Sequence, residues 1–395
     1  MWRITGILRI WACVALLLSS ALLLSGCWDR REINDVAFVL GSGIDLTDDG
    51  KYLVSVLIPL PGNIGGAVSL GGGGGGQKPF TIKIEEGESI KEAIDIMQNS
   101  LPRTLFFGHR RILVIGEKLA RTVGASPIID AVTRLPENRL TAFVAVAKGS
   151  ALDILNADVR LERFSVESLR ELMQSEAIVR VSLKDITSKV DVIGTEAFLP
   201  YLIKKTTKIK GQEADDIDIA GFALTQGGMM KAVARNGEAN GIRLLSGRFR
   251  PYRDSIKDEN GNKVMLGINK AIVKVKPQLA NGKLIYRIQT QMQISINEDM
   301  DTNRNYDDIG QRRAIEELFE QKAKSDITRS IALMQKYNCD VIAFGLYAYR
   351  AYPDKWEQDW RAKWGEMFPN CEFDVQVRAN LFRIGMNREN LAKKE

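Results

Sequence analysis

A single histidine, His109, and four cysteines, Cys13, Cys27, Cys339 and Cys371, limit the chemistry open to this 395-residue chain. A zinc site needs several His or Cys at short spacing, and no such cluster is present. A nucleophile–histidine catalytic pair could use only His109. That residue sits in Phe107-Gly108-His109-Arg110-Arg111, just before a predicted strand. A pH-sensitive contact is one use for it, but a half-buried ring bonded to backbone is the expected one. Two carboxylates roughly 5–10 Å apart could cleave a glycosidic bond, yet no motif singles out a pair among the 49 acids. Asp48-Asp49-Gly50 is acidic, but a calcium loop starting at Asp45 would place Thr47 and Val56 where acids are required, so the segment reads as a turn. The run Gly71 to Gly76 contains G-x-G-x-x-G, but Gln77-Lys78-Pro79 and a strand follow it, not a helix. It reads as a surface loop. The expectation is therefore no enzyme, no catalytic residue, no metal and no cofactor.

Composition agrees with folded protein. Hydrophobic residues make up 45% and charged residues 26%, too apolar for disorder across the chain. The net charge of +6 includes Arg3 and Arg9, so a chain beginning at Cys27 carries +4. Lysine and arginine form no obvious stripe, and nucleic-acid binding is not expected.

The N-terminus carries the sharpest signal. Arg3 and Arg9 precede an apolar run, Ile10 to Leu24, of 15 residues. A membrane-spanning helix needs about 20, so this reads as a signal-peptide core. Leu24-Ser25-Gly26-Cys27 then resembles the bacterial lipobox. That resemblance implies removal of residues 1–26 and diacylation of Cys27, whose two lipid chains would hold the protein at a membrane. Cys13 would leave with the leader. Cys339 and Cys371 could form a disulfide or remain reduced and buried.

The predicted elements fall into three modules. In 27–150, strands at Val36 to Asp45, Tyr52 to Leu60, Phe80 to Ile84, Arg111 to Gly116 and Leu140 to Ala147 alternate with helices at Glu88 to Ser100, Glu117 to Arg121 and Pro127 to Thr133, with a glycine-rich loop at 61–78. Residues 151–250 form a helix-rich module, helical from Leu152 to Lys205, with strands at Ile217 to Leu224 and Met229 to Ala234 and a helix at Gly237 to Gly247. Residues 251–388 hold a hairpin about Asn281-Gly282, a helix near Asp308 to Tyr337 of about 45 Å, a strand Val341 to Tyr349, a short helix and a closing strand from Phe373 to Leu381. Their ββαβαβ order suggests an antiparallel sheet with helices on one face. Trp356, Trp360 and Trp364 share a helix face and are expected to pack it onto the sheet. Residues 389–395 are a polar tail. The fold class is α+β, each module a mixed or antiparallel sheet packed with helices.

Several strings together resemble one family. Cys27-Trp28-Asp29-Arg30-Arg31-Glu32-Ile33-Asn34-Asp35, Phe107-Gly108-His109, Asp340-Val341-Ile342-Ala343-Phe344-Gly345 and Val375-Gln376-Val377-Arg378, with Arg383-Ile384-Gly385 at the end, are similar to the Ger(x)C lipoproteins, the C subunits of bacterial spore germinant receptors. The glycine run departs from that pattern. The resemblance implies a three-domain, non-enzymatic lipoprotein on the outer face of the spore inner membrane. Its partners would be the A and B subunits, and no small-molecule ligand is expected. Trp28, Asp29, Arg30, Glu32 and Asn34, beside the lipid, are the expected partner contacts; packing of Trp28 and Ile33 onto the core is the other reading. The alternative function is a solute-binding lipoprotein of an importer, with two α/β lobes around a cleft.

Overall fold

The computed structural model describes residues 11–15, 19, 32–60 and 78–383, except 136, 176, 177, 191, 193, 210 and 211. Most of the leader, Cys27, Trp28, Asp29, Arg30, the glycine run and the polar tail lie outside the described residues.

Two main sheets organise the chain. The first has eight strands: β2 (Gly41–Leu46), β3 (Tyr52–Pro59), β4 (Phe80–Gly87), β6 (Ile112–Gly116), β7 (Phe143–Ala147), β8 (Phe198–Ile209), β9 (Gln212–Gln226) and β10 (Met229–Ala234), in the order β10-β9-β8-β7-β6-β2-β3-β4. Its centre, β2, β6, β7 and β8, is parallel, and both wings are antiparallel. β1 (Val36–Phe38) and β5 (Thr104–Phe106) form a separate parallel pair. The predicted strand from Val36 to Asp45 is thus two strands, each with a different neighbour.

Both faces of the large sheet's centre are covered. Leu113, Ile115, Val144 and Val146 pack with Ile94 of α1 (Ile90–Asn99), Leu119 of α2 (Glu117–Thr122), Ile128 of α3 (Ser126–Thr133) and Ile186 of α6 (Leu183–Val190). On the opposite face Ile112, Val114, Ala145 and Ala147 meet Leu155 of α4 (Ala151–Leu155) and Leu169 of α5 (Ser165–Gln174). Parallel strands buried on both faces show no alternation, which is why β6 and β7 read as plain apolar runs.

The sheet does not stop at residue 150. β8 pairs in parallel with β7, Val146 opposite Tyr201, so the strands of the 151–250 segment extend the sheet begun before it. Residues 198–205, expected to be helical, are strand. The run Phe-Leu-Pro-Tyr-Leu-Ile favours extended backbone, and the ladder between β7 and β8 begins after Pro200, which cannot donate to it. Two α/β lobes around a cleft, as the importer alternative requires, are not the architecture observed.

The second sheet runs β11 (Tyr252–Lys257), β12 (Lys263–Ala280), β13 (Lys283–Asp299) and β14 (Glu372–Arg383). Asn281 (φ 51°) and Gly282 (φ 76°) make the predicted hairpin turn. α8 (Ile309–Lys336), capped by the Asp308 carboxylate on Gly310 N–H at 2.7 Å, lies on the apolar face. β14 is parallel to β13, not antiparallel as expected, because α8 carries the chain back along the sheet before β14 begins. β11 was not among the predicted strands. The predicted strand 341–349 is instead helix α9 (Phe344–Ala351), for a reason given below. Trp356, Trp360 and Trp364 are all buried, and Cys339 and Cys371 are both buried free thiols.

Candidate functional site: the clasp between the two sheet units

The string Asp340 to Gly345 closes one unit onto the other. α8 ends at Lys336, and Asn338 (φ 53°) turns the chain so that Cys339 N–H reaches the Met334 carbonyl at 2.8 Å. Asp340 follows, fully buried. Its carboxylate accepts from Phe344 N–H and Gly345 N–H, both at 2.8 Å, and from the Trp364 indole N–H at 3.2 Å. These bonds satisfy the first turn of α9 and select helix over the predicted strand. Ala343 takes a left-handed conformation (φ 66°) to allow the turn. Phe344 is buried, and its carbonyl accepts from Tyr286 Oη at 2.8 Å, fixing α9 to β13.

The other half of the clasp comes from residues 181–198. Asp340 C=O accepts from Glu196 N–H at 2.9 Å. Lys189 donates to the carbonyls of Val341 (3.2 Å) and Glu196 (3.4 Å), with its Nζ 5.2 Å from the Phe198 ring centroid. A Cβ on Gly345 would lie 2.8 Å from the Gly194 carbonyl oxygen, so only glycine permits this approach. Arg248 pairs with Asp185 at 2.8 Å. A cavity of about 170 Å³ lies here, bordered by Asp185, Lys189, Phe198, Arg248 and Val341.

Burial sets the electrostatics. It pushes the Asp340 carboxyl up to about 7, against the pull of its hydrogen bonds and Lys189. It lowers the Lys189 ammonium from its ordinary value and raises the Glu196 carboxyl. Cys339 and Cys371 are pushed up to about 12, which keeps both as neutral thiols. Asp340 and Lys189 make hydrogen bonds that close the junction, and the arrangement does the work of a clamp. Lys189, Gly194 and Glu196 were missed in the sequence because they lie over 140 residues from Asp340 and match no motif.

The other expected residues lie apart from it. His109 is exposed, not half-buried; its ring meets Phe38 (centroids 4.9 Å apart) and Phe106 (5.7 Å). Glu32 and Asn34 are exposed in a short helical turn before β1, and Ile33 is 76% exposed, so it does not pack on the core. Behind His109, Arg110 is buried, donating to Asn138 and Ser42, and desolvation draws its guanidinium down to about 9. Asp48-Asp49-Gly50 is a turn, with Lys118 donating to Asp48 at 2.8 Å. Among the described residues no group of three or more His, Cys, Asp or Glu is placed to hold a metal ion, and no helix is long and apolar enough to cross a membrane.

Comparison with known proteins defines the class. Residues 29–204 match the family described as spore germination protein N-terminal domain, and residues 220–385 match spore germination B3/GerAC like, C-terminal. The gap between the matches falls in the β8–β9 hairpin, inside one sheet. The chain is 32% identical over 367 residues to the putative spore germination protein YfkR of Bacillus subtilis (strain 168), covering 93% of this chain and 94% of that protein. It is 26% identical over 389 residues to spore germination protein KC of the same strain, covering 94% and 95%. The crystal structure of the GerBC protein shares the fold, with a TM-score of 0.56 at 18% identity over 90% of this chain and all of that one. The chain belongs to the Ger(x)C family of spore germination proteins.

Proposed function

We propose that this protein is the lipid-anchored C subunit of a germinant receptor, working by contact with the A and B subunits in nutrient-triggered germination and not by catalysis. It would sit on the outer face of the spore inner membrane, held by a diacylglyceryl group on Cys27. The observation that carries this reading is the full-length relation to spore germination proteins, joined to a lipobox directly before the matched region. The segment Trp28 to Asn34, between lipid and first strand, is the nearest part of the chain to the membrane subunits. Within it Glu32, Ile33 and Asn34 are exposed.

The test is Cys27→Ala in sporulating cells. The expected outcome is loss of the protein from the membrane fraction and a slower nutrient response, because anchoring depends on acyl burial. Retention in the membrane with a normal response would refute the anchor.

A further inference from the structure

A wide cleft of about 1000 Å³ opens away from the clasp, between the end of the large sheet and α8. Its floor is β8 and β9, and one wall is α7 (Asn236–Leu245) with Arg235 just before it. We propose that this cleft is a binding site for a small organic anion carrying one or two carboxylates, held by Arg235 and Arg243. The proposal goes beyond the receptor reading and stands whether or not Cys27 is acylated.

The argument is one of unmatched charge. Five cationic and three acidic side chains border the cleft. Lys205 pairs with Asp218, Lys322 bonds Asp254 (2.5 Å) and Asp326 (2.8 Å), and Arg329 bonds Asp326 (2.5 Å). Those acids are thereby used. Among the described residues Arg235 and Arg243 make no contact ion pair: each is held on an aromatic face, 5.5 Å from the Tyr201 centroid and 5.2 Å from the Tyr252 centroid. Stacking fixes the plane of a guanidinium and leaves its N–H edge for an acceptor in that plane. The Arg243 Nε is buried and bonds to nothing, and its neighbour NH1 makes only a 3.4 Å contact to the Asn240 amide oxygen. Burial lowers the Arg243 guanidinium from its ordinary value, with Tyr252 and Asp254 pulling the other way. A carboxylate in the cleft would give the two guanidiniums a contact ion pair, which Asp254 does not make with either.

Position supports this. Asn236, Asn240 and Arg243 recur at i, i+4 and i+7, on one face of α7, and the first turn of this ten-residue helix also borders the cleft. α7 is held rigidly: a Cβ on Gly241 would lie 2.5 Å from the Asp326 carbonyl, so the helix touches α8 backbone to backbone. The three acids disfavour a polyanion, which leaves a ligand of low charge.

The full-length acylated protein in detergent is titrated by calorimetry with glutarate, succinate and inorganic phosphate at low salt. Saturable 1:1 binding of glutarate or succinate is expected, weakened about tenfold by Arg235→Gln and by Arg243→Gln, and unchanged by Arg287→Gln on the far side of the second sheet. Should Arg243→Gln melt early, Arg235→Lys/Arg243→Lys keeps the charge but not the fork, and Ser175→Glu adds a repelling carboxylate at the rim; both should weaken binding. No saturable heat with any of the three anions up to about 10 mM overturns the proposal. Binding that survives the arginine changes, or a preference for phosphate, overturns it equally. Tighter binding of an acetylated glutamate-rich peptide than of glutarate would assign the arginines to a partner's acidic segment and refute the small ligand.

Discussion

The two main sheets solve the same burial problem in opposite ways. The centre of the eight-stranded sheet is dry on both faces; Ile112, Leu113, Val114 and Ile115 are consecutive and all fully buried. The four-stranded sheet is dry on one face only. Along β13, Tyr286, Ile288, Met292 and Ile294 are buried, while Arg287, Gln289, Gln291 and Gln293 face out, beside Lys270, Ile272 and Lys274 of β12 and Arg378 and Asn380 of β14. Parallel strands need crossover helices, and those helices cover the faces. A hairpin-built sheet has no such requirement and keeps one face for solvent. The second sheet's outer face is therefore the part of this fold most free to vary, and the centre of the first is the least.

Substitutions sharpen that contrast. Leu113→Ala in the first sheet is expected to cost about 3–4 kcal/mol, since the site is closed on all sides and cannot collapse. Urea unfolding measures it; a cost below about 1 kcal/mol would mean the first sheet is as tolerant as the second. Gly345→Ala, at the clasp that joins the sheets, should cost about 2 kcal/mol, because the new methyl group meets the Gly194 backbone and the Trp356 ring. If the units unfold separately, this variant should lower the coupling between two transitions more than either midpoint.

The pH dependence of the clasp follows from Asp340. Its folded value near 7 is above the ordinary 3.8, so the folded state binds the proton more tightly than the unfolded chain does. The resulting stabilisation is complete below about pH 3.8 and disappears as pH rises through about 7. Wild-type protein should therefore lose about 1 kcal/mol relative to Asp340→Asn between about pH 6 and about pH 8. Parallel melting curves for the two proteins would contradict a buried, titrating Asp340. At the other end of the scale, Ile272→Ala on the outer face of the second sheet should change stability by no more than about 0.5 kcal/mol, despite the loss of a large apolar side chain. A substantial loss there would show that the outer face is covered by something in solution.

Parts of this were readable directly. The Asn281-Gly282 turn and the long helix near Asp308 to Tyr337 each depend on residues close in sequence, and each is found where expected. The tryptophan stripe is core for the same reason. Elsewhere local pattern misled. Val341, Ile342 and Phe344 are buried whatever the backbone does, so their run fitted a strand; the choice of helix belongs to Asp340, whose carboxylate takes the N–H groups of Phe344 and Gly345. Residues 198–205 lay in a stretch read as helical, and it took the free edge of β7 to make them strand. His109 was placed half-buried, and the Phe38 and Phe106 rings that meet it come from separate strands.

The sequence by itself determined the leader-like N-terminus, the α+β class, the family and the elements whose period is unbroken, because these rest on composition and on neighbours within a few residues. Only the tertiary structure decided that one sheet runs through the expected boundary at 150, that β14 is parallel, that Lys189 and Gly194 meet the 340–345 string, and that Arg235 and Arg243 border one cleft. Those outcomes depend on which distant segments come together, and burial, hydrogen-bond satisfaction and charge pairing take their values only after that has happened.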